Sequence, residues 1–470
     1  MSGEKTLKKL EKRRRFEEKQ FKKLSHIMNA GQPAYFFAVT IILIILVDLL
    51  DNFTTSSTGN ITSSIITDFF VNGSIFGRSY TYEEGLSIHN TLILLSNLAV
   101  IGAPFYKSLG DKYGRKPLLA VSTFGMATGM LIIFLSKTYP AFLLGNLMMT
   151  FFLGSDIQII YVLEEAPSKH RAKIYSVLKA IGALGVAFIP LLRNLAMHND
   201  STQWRQIFML PGVVGILVGV LILLLAKETR VFIKQKHEYL SVPLAERIEI
   251  EQKKRLEKKA NANKNGVINA IKYIWQHKEV RILIITKCVF DTALAAMTYH
   301  ESVMFKAGMS TEKITTVEFF YPFIYAATIF ISGFIADKFG RKRTIQIFGS
   351  ICVATFILFM VSTNRLMSPT FIGWMYGFYL GGYWIGRDYM EIMVTEMVPT
   401  DIRASVIAGG AVYMAVSMAF GYAFMALSVL FIPIWLACVI LAVPMVTLSI
   451  ILLTFKVKET AGVDYSTIGE

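Results

Sequence analysis

The chain has 470 residues, of which 54% are hydrophobic and only 17% are charged, and its mean hydropathy is +0.50. Soluble domains carry about 25% charged residues, and the apolar residues here form blocks of about 20, the length that a helix needs to cross a bilayer. The composition therefore predicts a membrane protein and excludes an ordinary soluble domain.

The net charge of +15 is distributed unevenly along the chain. Basic residues crowd the N-terminal segment and a central polar stretch, whereas the loop 54–85 contains Arg78 as its one basic residue. Charge that alternates in this way from loop to loop is the positive-inside pattern of membrane proteins. It argues against nucleic acid as a partner and predicts that both termini face the cytoplasm.

Twelve spans are predicted, six in each half of the chain. Residues 1–33 form a basic cytoplasmic segment that anchors the topology and touches anionic lipid. A six-helix bundle covers 34–226, a cytoplasmic linker with a solvated helix covers 227–281, a second bundle covers 282–455, and a cytoplasmic tail covers 456–470. The spans lie near 34–53, 86–106, 117–135, 141–163, 176–197, 207–226, 282–305, 317–336, 344–363, 370–395, 405–428 and 431–455.

One charged stretch, residues 109–116, separates spans two and three and reads Leu-Gly-Asp-Lys-Tyr-Gly-Arg-Lys. A near copy, Ile-Ala-Asp-Lys-Phe-Gly-Arg-Lys, occupies 335–342 between spans eight and nine. The residues that follow spans four and ten repeat as well, because Glu164 and Arg171 correspond to Glu396 and Arg403. An internal repeat of this size is common in secondary transporters, with the substrate site between the halves near the midplane.

The two loops resemble the signature of the major facilitator superfamily, G-x-L-x-D-R/K-x-G-R-K/R, and the resemblance extends across essentially the whole chain. The second copy fits the signature from Gly333 onward, whereas Lys107 replaces the leading glycine of the first copy. The Glu-x-x-Pro-x-x-x-Arg elements after spans four and ten are similar to those of the sugar-porter and organic-ion branch. Lys-Glu-Thr at 227–229 and at 458–460 also resembles that branch.

The resemblance implies an all-α fold of two pseudo-symmetric six-helix halves, alternating access by rocking of those halves, and neither an enzyme activity nor a cofactor. It also implies a cytoplasmic gate in which arginines and carboxylates at the helix ends make charge-assisted bonds. The predicted gate residues are Asp111, Gly114, Arg115, Lys116, Glu164, Arg171, Glu228, Asp337, Gly340, Arg341, Lys342, Glu396, Arg403 and Glu459.

Ionisable side chains inside spans cost several kcal/mol each, so each marks a candidate binding site. In the superfamily that the chain resembles, spans one, four, seven and ten line the central cavity, and most of these charges fall on them. The candidate substrate or proton residues are Asp48, Asp51, Asp156, Arg193, Asp291, Arg387, Asp388 and Glu391.

Several of these candidates have two interpretations. Arg387 and Glu391 are four residues apart and can pair along one helical face, either as an internal ion pair or as part of a site for a charged substrate or a proton. Asp48 and Asp51 are either a proton-coupling or cation-attracting pair or hydrated groups at the outer interface. Arg193 pairs with an acid, holds an anionic group or lies at the interface.

The hallmarks of sugar recognition are missing. Sugar porters carry paired glutamines on span seven about where Val289 and Phe290 fall, and a tryptophan on span ten about where Glu391 falls. We therefore predict a monomeric plasma-membrane transporter of a small charged or polar organic metabolite, with proton coupling. The alternatives are an exporter of amphiphilic or cationic compounds and a non-transporting nutrient sensor of the same fold.

Overall fold

The computed structural model describes residues 2–30, 34–75, 77–97, 106, 109–110, 113–153, 157–158, 161, 177–178, 181–197, 201–261, 267–398 and 403–460. Within these residues the chain is helical apart from its turns and one isolated bridge between Ile75 and Arg78. Helices suit the predicted environment, because a bilayer leaves each backbone amide to be satisfied inside its own segment.

The first half is built from helices that agree in order with spans one to six. Spans three and four approach closely, because a Cβ at Gly129 would lie 2.7 Å from the carbonyl oxygen of Gly145, and a Cβ at Gly145 would lie 2.8 Å from that of Gly129. The helices of this half are Ala34–Ser57, Tyr82–Asn97, Arg115–Leu135, Tyr139–Leu153, Leu184–Ala187 with Phe188–Met197, and Ser201–Phe208 with Met209–Leu225.

The second half follows the same order, but span seven is interrupted. The amide groups of Ala293 and Ala296 donate to carbonyl oxygens three residues back, which tightens the helix and redirects the chain toward His300 and Glu301. The helices are Lys278–Thr292, Leu294–Met297 and His300–Lys306 for span seven, then Thr311–Phe339, Arg341–Asn364, Pro369–Glu396, Arg403–Ser428 and Ile434–Lys456.

Six helices in the described part of the chain are long and apolar enough to cross a membrane. They are Ala38–Ser57, Arg115–Leu135, Thr202–Leu225, Thr311–Ala336, Arg341–Asn364 and Ile434–Lys456. Shorter apolar helices at Tyr139–Leu153, Ile181–Met197 and Tyr413–Ser428 accompany them.

The segment predicted as a polar outer loop is folded. Short helices at Gly59–Ile61, Thr62–Ile66 and Thr67–Val71 bury apolar side chains in the core, and Phe69 packs edge-on against Trp204 at a ring distance of 5.9 Å. Isoleucines and phenylalanines at helical spacing explain this burial, since one face of the segment is apolar. The segment therefore covers the end of the molecule that the charge pattern predicts to face outward.

Four further helices of the described part lie at the opposite end. Ser2–Ala30, Arg230–Ser241 and Leu244–Asn261 are polar, and Val267–Gln276 is amphipathic. The N-terminal helix contacts the linker through two of its side chains. The Phe21 ring stacks on His237 at 4.7 Å, and Arg247 pairs with Glu17 at 3.0 Å. The N-terminal helix is thus docked on two helices of the linker, Arg230–Ser241 and Leu244–Asn261.

Candidate functional site

Two glutamates cap the helices that follow the repeated loops. The amide of Arg115 donates to Glu228 Oε1 at 2.8 Å, and the amide of Arg341 donates to Glu459 Oε1 at 3.0 Å. These amides are among the helix N-terminal donors that lack a partner in their own helix, and the helix dipole there favours a negative charge. Each half therefore ties its last helix to its third helix through the same carboxylate geometry.

The glycines of the loops permit this cap. Gly114 and Gly340 have φ angles of +105° and +88°, a left-handed region that side chains rarely occupy. A Cβ at either position would also overlap the capping carboxylate of Glu228 or Glu459.

Other gate residues reinforce the second half. Arg341 Nε lies 3.4 Å from Glu396 Oε1, and the Thr460 hydroxyl donates to the other oxygen of Glu396 at 2.5 Å. Lys342 Nζ donates to the carbonyl oxygens of Thr454 and Val457 at 2.9 and 2.7 Å. These bonds join helices within one half.

In the first half, Arg115 donates to the carbonyl oxygen of Gly110 at 2.7 Å, and the amide of Lys116 donates to Glu228. Burial raises the pKa of Glu228, while the amide groups that it accepts oppose that rise. Several predicted residues lie outside the described part: Asp111, Asp156, Glu164 and Arg171, together with the side chains of Asp337 and Arg403.

Four charged side chains of spans seven and ten form what we call the inner cluster: Lys287, Asp291, Arg387 and Glu391. Lys287 Nζ lies 3.0 Å from Asp291 Oδ2 and 3.1 Å from Glu391 Oε2. Arg387 Nε lies 3.2 Å from Asp291 Oδ1. Asp291 is fully buried and is shared by two cations, whereas the side chain of Glu391 is 46% exposed.

A cavity of about 270 Å³ adjoins the inner cluster, between spans seven, ten and eleven. Its apolar side includes Met414, whose sulfur accepts from Arg387 at 3.3 Å. The Arg387 guanidinium also lies 4.8 Å from the Trp384 ring centroid. The lining consists of Ile284, Lys287, Cys288, Asp291, Arg387, Asp388, Glu391, Val394, Val406, Gly410 and Met414.

The expected pairing of Arg387 with Glu391 along span ten is wrong for this structure. Both side chains instead bind residues of span seven: Arg387 pairs with the fully buried Asp291, and Glu391 pairs with Lys287. Lys287 was not predicted as a site residue, although it lies inside the predicted span seven and the cost of an intramembrane charge applies to it equally.

A second group, the outer network, joins the two halves at the opposite end. Arg193 of span five lies 3.4 Å from Glu301 Oε1 and 3.2 Å from Glu318 Oε1. Glu301 also accepts bonds from the amide of Ser63 at 2.7 Å and from its hydroxyl group. Glu318 was not predicted as a site residue either, although it lies at the outer end of the predicted span eight.

Asn60 completes the outer network. Its amide group donates to the Tyr321 hydroxyl at 3.4 Å, and its side-chain oxygen lies 2.6 Å from His300 Nε2. Its backbone oxygen accepts from Arg193 at 2.5 Å. Asn60 begins an Asn-x-Thr triplet, but its side chain is buried in this contact between the halves.

Asp48 and Asp51 are buried on span one, with 0% and 9% exposure, so the interpretation of hydrated interfacial groups is wrong for this structure. A Cβ at Gly182 would overlap the Asp48 carboxylate, which shows how closely span five approaches. The two acids belong to the first half, whereas the inner cluster belongs to the second.

Comparison with known proteins identifies the class. The model of the Major Facilitator Superfamily matches residues 32–386, and the chain belongs to that superfamily. It is 23% identical over 320 residues to the glucose transporter GlcP of Staphylococcus epidermidis, covering 62% of this chain and 70% of that protein. It is 21% identical over 362 residues to the arabinose-proton symporter of Bacillus subtilis, covering 71% and 75%.

Solved structures agree on the fold. The D-xylose-proton symporter superimposes with a TM-score of 0.65 at 16% sequence identity, over 91% of this chain and 99% of that one. The predicted all-α major facilitator fold and the resemblance to sugar porters are confirmed. The protein is a multi-pass membrane protein and a secondary transporter, and it is not an enzyme.

Proposed function

We propose that the protein carries a small charged or polar organic solute across the plasma membrane together with a proton, and that the solute binds beside the inner cluster. The observation that supports this proposal is the buried Asp291 carboxylate, held between Lys287 and Arg387 at the wall of a cavity. Buried charges inside a membrane span are costly, which favours a functional reason for keeping them there.

The bonding of Lys287 offers a route to coupling. Lys287 divides its charge between the buried Asp291 and the half-exposed Glu391. A proton on Glu391 weakens that second bond and leaves the ammonium group able to bind an anionic group of the solute. The solute and the proton then favour each other at one site, and the two halves rock around it.

A thermal-shift panel tests the substrate class. A ligand at about 100 times its Kd adds about 2.7 kcal/mol to the stability of the folded state. The panel compares glucose, arabinose, xylose and inositol with amino acids, small carboxylates and small ammonium ions. We expect stabilisation by a charged compound, reduced in Lys287→Met and Asp291→Asn and retained in Glu312→Gln, an exposed carboxylate of span eight. Stabilisation by sugars alone would contradict the proposed substrate class.

One feature favours a second candidate, the export of amphiphilic cations. Asp388 is exposed and Glu391 half-exposed at the cavity, close to the apolar surfaces of Met414 and Trp384. Acidic groups beside an aromatic surface suit a lipophilic cation. Tetraphenylphosphonium distinguishes the candidates, since an exporter accumulates it in inverted vesicles, whereas the proposed uptake carrier does not.

A further inference from the structure

The outer network holds more negative than positive charge. Arg193, Glu301 and Glu318 have side-chain exposures of 2%, 0% and 0%. With every group ionised, two carboxylates share one guanidinium, and a net negative charge is sealed away from water. Burying a charge without a matching partner is costly, and a proton on one carboxylate removes that cost.

The two carboxylates are not equivalent. Glu301 accepts the amide and hydroxyl groups of Ser63 in addition to Arg193. Among the described residues Glu318 accepts from Arg193 alone, at 3.2 and 3.3 Å, through the same nitrogen that donates to Asn60 at 2.5 Å. Hydrogen bonds to the ionised form hold Glu301 charged, so Glu318 is the better place for a proton.

The other titratable groups that face the network are His300, Tyr82, Tyr321 and Tyr376. His300 already uses Nε2 on Asn60, and its charged form would lie beside the Arg193 guanidinium. Tyr321 and Tyr376 stack at a ring distance of 4.0 Å, and Tyr82 lies near Glu301. None of these groups offers Glu318 a second positive charge.

We propose that Glu318 is a proton-binding site whose occupancy favours closure of the outer face. The network joins Asn60, Ser63 and Arg193 of the first half to Glu301 and Glu318 of the second, so it forms only when the halves meet on that side. Opening hydrates Glu318 and lowers its affinity for the proton. By linkage, acid therefore favours the closed outer face.

This proton differs from the one proposed at the inner cluster. The outer network is sealed when the outer face is closed and hydrated when that face opens, so its proton exchanges with the outer solution and sets the conformational equilibrium. This conformational equilibrium needs no solute, so it can be measured independently of the substrate.

Distances between spin labels on the outer ends of the two halves test the proposal. Asn72 and Met367 are exposed, one in each half, and replacing the three native cysteines leaves cysteines at these two positions as the only labelling sites. In nanodiscs without solute, we expect the short-distance population to grow severalfold as pH falls from roughly 8 to 5. Glu318→Gln should hold it at the acid value throughout, and Glu312→Gln should titrate like the parent.

A parent protein whose distances ignore pH would overturn the proposal. So would a response that persists in Glu318→Gln, because the proton would then bind elsewhere. If Glu318→Gln is unstable, His300→Asn and Glu301→Gln still decide. A response that is retained in His300→Asn and moves to lower pH in Glu301→Gln, where one carboxylate is left with Arg193, supports the proposal. A response that is lost in His300→Asn or unchanged in Glu301→Gln contradicts it.

Discussion

Gly340 combines two constraints, a φ of +88° and a capping carboxylate that leaves no space for a Cβ. The left-handed conformation alone costs a residue with a Cβ about 1–2 kcal/mol. We expect Gly340→Ala to lose at least that much and also to displace Glu459. Thermal unfolding in detergent measures the loss.

Two other glycines allow the cost of the positive φ to be separated from the cost of the clash with the carboxylate. Gly308 has a φ of +84° with open space around it, so Gly308→Ala should show the strain without the clash. Gly333 has neither constraint, and Gly333→Ala should be nearly neutral. Equal losses in all three variants would contradict the capping geometry.

Lys287 has two partners of unequal burial, which gives a quantitative prediction. Asp291 is fully buried, whereas Glu391 is 46% exposed, so solvent screens the second pair. Double-mutant cycles should give a coupling free energy of about 2 kcal/mol for Lys287 with Asp291 and at most about 1 kcal/mol for Lys287 with Glu391. A larger coupling to Glu391 would contradict the assignment of Asp291 as the centre of the cluster.

Individual candidate residues were partly predictable. The cost of an intramembrane charge identified Asp291, Arg387 and Arg193 from the sequence. The pairing was not predictable, because helical spacing relates Arg387 to Glu391 on one helix and gives no information about which charges face it from span seven. Glu318 and Lys287 were open to the same argument and were overlooked.

At the scale of elements, the outer end of span seven contacts the residues that precede span two. Lys306 Nζ lies 2.5 Å from Glu83 Oε1, and Tyr82 stacks on Phe305 at 5.3 Å. Burial raises the pKa of Glu83, but the hydrogen bond and charge of Lys306, together with a backbone hydrogen bond, outweigh it, and the pKa is lowered overall. Because this pKa is lowered, the pair stabilises the contact fully at a pH above the ordinary pKa of a glutamate. The stabilisation is lost as the pH falls through the lowered pKa of Glu83.

Lys306→Gln should therefore weaken the outer contact at neutral pH by at most about 1 kcal/mol, because both side chains are about 40% exposed. The spin-label distances described above measure this change. Lys313→Gln, an exposed lysine of span eight, is the control. A large opening in Lys306→Gln would show that the exposed pair, and not the buried outer network, holds the face closed.

The order of the spans was predictable from the apolar blocks of the sequence, but the interruption of a helix was not. Span seven reads as one apolar run. The helix that follows its interruption carries His300 and Glu301, whose partners Asn60 and Ser63 lie in the other half, and sequence spacing does not reveal them. The outer segment, residues 54–85, was predicted as a loop, although its isoleucines and phenylalanines bury it.

At the scale of the whole molecule, the described bonds of the gate stay within one half, whereas the outer network crosses between halves. When the two halves are joined at the outer face, they can move apart at the cytoplasmic face. The internal repeat predicted this two-part design from sequence. The state of the gate was not predictable, because the same charges serve both conformations of an alternating-access carrier.

Gradient-driven uptake by Glu391→Gln tests the central claim, that the inner cluster couples solute to protons. Proteoliposomes with an alkaline interior are given the compound selected by the thermal-shift panel, and accumulation is compared with and without the pH gradient. The parent protein and Glu312→Gln should accumulate the compound only with the gradient. Monodisperse Glu391→Gln, which cannot exchange the proton, should show uptake that the gradient does not change. Gradient-dependent accumulation by Glu391→Gln equal to that of the parent would contradict the account.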